Sequence, residues 1–90
     1  MHKQFRGSSI LEDGNKKMKV DYYLIAETKF FYEDKKPRIT YGIEIALNNE
    51  EKESVSDITI NENRALEILE VLQKNTVLPV HLHNVIEDLL

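Results

Sequence analysis

His81, His83 and Glu87 are the residues of this chain whose types and spacing come closest to a chemical site. Imidazole and carboxylate both ligate divalent metals, and residues four apart on a helix share a face, so His83 and Glu87 could hold one side of an ion. A transition metal wants three or four protein ligands. His81 lies two residues back and points elsewhere unless the helix starts after it. The expectation is a solvated helix face bearing a His–Glu pair, with a small metal- or ligand-binding protein as the alternative. His2, the third histidine, sits at the terminus.

Ser54, Ser56 and Asp57 offer hydroxyls and an acid, but no Gly-x-Ser-x-Gly elbow presents a nucleophile. Gly7, Gly14 and Gly42 are too scattered for a loop that cradles phosphate. Cysteine is absent, which removes thiolate zinc sites, disulfides and thiol nucleophiles. The reading is of a non-enzymatic protein without a cofactor.

Glu87 and Asp88 fall in the last turn of the final helix, where the dipole disfavours acids by a few tenths of a kcal/mol up to ~1 each. Either a cation nearby compensates, or the acidic end receives a basic partner segment. The basic groups Lys16, Lys17, Lys19 and Lys35, Lys36, Arg38 lie at opposite ends of one strand, on the order of 50 Å apart at ~3.3 Å per residue. They cannot form one patch. A net charge of −4 also argues against nucleic acid and anionic membrane surfaces as partners.

The elements that must position these residues follow from hydropathy. Ninety residues, 41% of them hydrophobic, suffice for one domain with one shared core. Residues 4–11 read as a weak first strand, ended by Asp13-Gly14, a hairpin-turn pair. Residues 17–31 form a long second strand with Val20, Tyr22, Leu24, Ala26, Thr28 and Phe30 on one face. Residues 38–47 form a third with Ile39, Tyr41, Ile43, Ile45 and Leu47 on one face. A loop at Glu33–Lys36 puts both apolar faces on the same side. Asn48–Ser54 reads as an exposed loop. Val55, Ile58 and Ile60 suggest a fourth strand over 55–60, bulged because Val55 and Ile58 do not share a period-two face. Asn61 looks like the N-cap of a helix over 62–74, ended by Asn75 in the left-handed conformation. Pro79 opens a second helix over 80–90. The predicted fold is α+β: an antiparallel meander of three to four strands covered on one face by the two C-terminal helices, a two-layer sandwich.

Tyr23, Ile25 and Phe31 then project from the opposite face of the sheet, beside Gly42 and Ala46. Two readings stand: aromatic covering of Gly42 within the chain, or a surface for self-association or a protein partner. The preferred function is a small interaction or regulatory module, in its simplest form a homodimer, with Tyr23, Ile25, Phe31, Gly42, Ala46, Glu87 and Asp88 as candidate contacts. The start of the chain carries no secretory signal and no apolar run approaches ~20 residues, so the expected location is cytoplasmic.

Tyr41-Gly42-Ile43-Glu44-Ile45 and Leu78-Pro79-Val80-His81-Leu82-His83-Asn84-Val85-Ile86-Glu87-Asp88 resemble the signature segments of a family of short bacterial proteins of unknown function. The resemblance spans most of residues 20–90. It implies a bacterial origin and a single domain, and it brings no activity with it.

Overall fold

Two strands that each carry an apolar face must hide it, and pairing them in register sets both faces on one side of the sheet, where a single layer of helices can cover them together. The computed structural model describes residues 1–33 and 35–90, and of Phe31 the backbone alone. Strands β1 (His2–Asp13), β2 (Lys16–Phe31), β3 (Lys36–Leu47) and β4 (Glu51–Thr59) form an antiparallel sheet in the order β1-β2-β3-β4. Helix α1 (Glu62–Lys74), a 3-10 turn at Pro79–His81 and helix α2 (Leu82–Leu89) follow. The fold is α+β, with both helices on one face of the sheet.

The β2–β3 register places Leu24 opposite Ile43 and Tyr22 opposite Ile45. With Val20, these side chains are buried against Ala65, Ile68, Leu69 and Leu72 of α1 and Leu82 and Ile86 of α2. Each large side chain removed from water here contributes roughly 1.5–3 kcal/mol before entropy is counted. The Tyr22 hydroxyl donates to the Val77 carbonyl at 3.1 Å, so the polar tip of this buried side chain has a partner.

Every strand differs in extent from its sequence-based range. β1 runs from residue 2 to 13 and is interrupted by a bulge between Phe5 and Gly7, where Arg6 is the extra residue. That insertion puts Phe5 and Ile10, of opposite parity, on the same face. Its hairpin to β2 is a two-residue loop, with Gly14 at φ +63° in the position a type II′ turn reserves for glycine. The expected loop at 48–54 is instead a tight turn followed by strand. Asn48 and Asn49 both take positive φ (51° and 63°), and Glu50 N donates to Leu47 O at 3.0 Å. Asparagine tolerates these angles better than other side-chain-bearing residues, and positive φ at both central positions is what a type I′ hairpin turn requires. In β4 the bulge lies between Val55 and Thr59, with Asp57 at φ +55°. It lets both Val55 and Ile58 reach the core.

Asn61 caps α1, its Oδ1 accepting from Arg64 N at 3.2 Å. At the other end Asn75 does not take the left-handed conformation (φ −95°); Thr76 does, at φ +48°. Val77 N bonds to Leu72 O and Thr76 N to Gln73 O, the paired bonds of a Schellman motif, with Val77 packed on the core near Leu72. Asn75 instead folds its side chain back, Nδ2 donating to Val71 O at 2.8 Å. The expected single helix over 80–90 is divided: Pro79 starts the 3-10 turn and α2 proper begins at Leu82.

Two substitutions test these local arguments. Thr76→Gly relieves about 1–2 kcal/mol of left-handed strain and loses about 0.5–1 to the freer unfolded chain, so a net gain of about 0.5–1 kcal/mol is expected in a thermal melt. Gly42→Ala is expected to lose about 1–3 kcal/mol by denaturant titration, because a Cβ there would collide with the Val55 carbonyl oxygen and meet Ser56 Cα at 2.8 Å, both backbone.

Candidate functional site

The sheet is longer than its roof. At ~3.3 Å per residue β2 is ~50 Å long, whereas α1, with 13 residues, spans ~20 Å. β1 pairs only as far as His2 opposite Ala26, and β4 only as far as Thr59 opposite Tyr41. Beyond these points β2 and β3 continue alone, from Glu27 opposite Thr40 to Phe31 opposite Lys36. The result is a two-stranded arm.

On the arm the apolar alternation continues without a roof. Thr28 lies opposite Ile39 and Phe30 opposite Pro37, on the same face as the core. Phe30 is 64% exposed and Ile39 52%, and Tyr32 stands in solvent at the tip. The expectation that Phe30 and Ile39 belong to the core is therefore corrected: they share its face but lie past the end of the helices. A shallow cleft at the root of the arm is lined by Met1, His2, Ala26, Glu27, Thr28 and Ile39. The opposite face of the arm is charged, with Lys29 Nζ 3.2 Å from Asp57 Oδ2 on the β4 bulge. From Lys29 to Arg38 the sequence carries four cations and two acids, in a chain whose net charge is −4.

The face of the sheet opposite the helices is less open than its sequence implies. Ile25 is 3% exposed, Ala46 0%, and Gly42 is buried. The β4 bulge lies across Gly42, so the chain's own backbone occupies the space left by the missing side chain. Thr40 is buried on the same face with its hydroxyl unpartnered. Tyr23 is half-buried: the Phe5 ring packs against it in a T-shaped pair, 5.7 Å between centroids, and Lys3 Nζ stands 4.7 Å from its ring centre. Lys3 also pairs with Glu44 Oε2 at 2.9 Å. The side chain of Phe31 lies outside the described residues.

The histidines are not brought together. His83 Nε2 is 3.4 Å from Glu53 Oε2 on β4, and His81 is exposed at the end of the 3-10 turn. Among the described residues no group of three or more histidines and acids is placed to hold a metal ion. Glu87 and Asp88 are exposed on α2. Arg64 Nη2 donates to the Leu89 carbonyl at 2.9 Å, which sets a cation at the negative end of that helix. The acids of the last turn thus have an offsetting charge within the chain.

Among the described residues, three groups have raised pKa values. The hydrogen bond and charge of Glu44 hold the Lys3 proton, burial pushes the Tyr22 phenol up against a smaller opposing effect of Ser9, and burial followed by Glu62 raises Tyr41. A folded-state pKa above the unfolded value contributes stability that is complete below the unfolded pKa and is lost as pH rises through the folded one. Stability should therefore fall on alkaline titration above pH ~10. Tyr22→Phe should flatten that fall, as read by denaturant midpoints across the alkaline range.

Among the described residues no helix is long and apolar enough to cross a membrane. No curated protein matches the chain, and no solved structure does. A family model described as "Family of unknown function (DUF6514)" matches residues 1–90. With its whole length covered by that match, the chain belongs to the DUF6514 family of unknown function.

Proposed function

We propose that this chain is a small non-enzymatic interaction module that uses the unroofed face of the β2–β3 arm to bind an acidic, apolar segment of another protein. The observation that carries the reading is the exposure of Phe30 and Ile39, which continue the apolar face of the core beyond the helices. A chain that buries Ile25 and Ala46 on the outer face of the same sheet has the means to cover apolar side chains, yet leaves these two in water. Exposed apolar area of this kind on a polar-rimmed surface marks a contact site.

Charge selects the kind of partner. Lys35, Lys36 and Arg38 lie along the arm. Lys36 and Arg38 alternate onto the face opposite Phe30 and Ile39, so they act on a segment approaching the arm by longer-range attraction, which steers an acidic one to it at low salt. The arm also keeps both strand edges unpaired beyond Ala26 and Thr40, so an extended partner segment could add main-chain hydrogen bonds.

The test compares the native chain with a Phe30→Lys/Ile39→Lys variant. Both positions are exposed, so the variant should melt within about 0.5 kcal/mol of the native chain. Capture from the source organism, with a photo-crosslinker at position 32, should yield a saturable protein partner joined through an acidic segment, lost in the double variant and weakened by salt. Equal capture by the variant, or a recovery abolished by nuclease, would overturn the reading.

A further inference from the structure

The two edges of the sheet are not alike. β4 is guarded in the ways edge strands usually are: a bulge with Asp57 at φ +55° bends it, and Glu51, Lys52 and Glu53 charge it. β1 is twelve residues long, and among the described residues no strand lies on its outer side. Past its single bulge it runs from Gly7 to Asp13 without a register shift. The stretch Gly7-Ser8-Ser9-Ile10-Leu11 within it is uncharged, and Ile10 is 59% exposed. Such an edge is a template for another strand.

The charges on β1 are polarised. Lys3 and Arg6 lie before the uncharged stretch, Glu12 and Asp13 after it. Lys3 is committed to Glu44 within the chain. A second copy of β1 laid antiparallel brings each Arg6 to the other copy's acidic end, twice over. A parallel alignment would set like charges side by side. The strand is thus complementary to itself under a two-fold axis, which is what an isologous dimer requires.

We infer that two copies of this chain form a symmetric dimer by antiparallel pairing of their β1 edges, centred on Ser9, joining the two sheets into one. In this register Ser8 lies opposite the second copy's Ile10, and Gly7 opposite its Leu11. Arg6 comes beside the second copy's Glu12 and Asp13. The two Ile10 side chains become diagonal neighbours on the face away from the helices. The cleft between α1 and the β1 edge, lined by Arg6, Leu66, Leu69, Glu70 and Gln73, opens beside this junction and is closed by the second copy. Within the chain Gln73 Nε2 reaches the Ser8 carbonyl at 3.4 Å, and Glu12 meets Lys17 at 3.7 Å. Both contacts are long, and the Glu12–Lys17 pair is exposed, so neither is a strong competitor. This dimer is independent of the arm and leaves its face free.

Charge reversal tests it. Arg6→Glu places acids against acids in a like pair, and Glu12→Arg/Asp13→Arg places cations against cations. All three positions are exposed, so the variants should fold, which circular dichroism confirms. In sedimentation velocity over a concentration series, native chain should show a monomer–dimer equilibrium. Each variant alone should dimerise at least tenfold more weakly, and an equimolar mixture of the two should regain the dimer. A native chain that stays monomeric throughout the series overturns the inference, as do variants that dimerise undiminished or a mixture that remains monomeric. Phe30→Lys/Ile39→Lys should leave the sedimentation profile unchanged, so the dimer and the arm stand or fall separately.

Discussion

The structure depends on one interface: the apolar stripes of α1 and α2 pressed onto Val20, Tyr22 and Leu24 of β2 and Ile43 and Ile45 of β3. A meander of this kind has no stability of its own when one face is apolar and wet. The roof supplies the missing layer, and the details at its margins serve to seat it. The Schellman turn at Thr76 redirects the chain so that Val77 packs inward and its carbonyl receives the Tyr22 hydroxyl. Arg64 ties the end of α2 to the first turn of α1. Because the helices are short, the interface fixes only one end of the sheet, and the arm is the part of β2 and β3 that it does not reach.

The opposite face is closed by other means. Among the described residues no helix covers it, yet Ile25, Gly42 and Ala46 are buried. The β4 bulge brings backbone over Gly42, and a side chain at that position would collide with it. Lys3 lies over Tyr23 and is held there by Glu44. Ile25 and Ala46 are thereby buried within the chain itself.

Much of this was legible in the sequence. The unbroken alternation of Ile39 to Leu47 and the even-numbered apolar face of Val20 to Phe30 give the paired strands and their common face, and Asn61 with the Ala65–Leu72 stripe gives α1. What was not legible has physical causes. Asn48-Asn49 is a weaker turn signal than Asn-Gly, so a tight hairpin reads as a loop. Thr76 is an unfavourable residue for positive φ, so the left-handed position falls naturally, and wrongly, on Asn75. The closure over Gly42, which lies opposite Ile25, comes from a bulge in β4 whose path no period-two pattern reveals. The arm could have been found by length alone: a strand more than twice as long as the helix meant to cover it must leave a bare end. The histidines of the last segment could not have been placed, because the nearest acid to His83 in space, Glu53, is thirty residues away in the chain.

The central claim is that the helices protect one end of the continuous β2–β3 ribbon and leave the other bare. Residue-resolved amide hydrogen exchange measures this directly. Amides within 20–24 and 43–47 should exchange only through global unfolding, while those within 27–31 and 36–40 should exchange orders of magnitude faster through local opening. Uniform protection along both strands would show that the arm is covered, and would contradict the account.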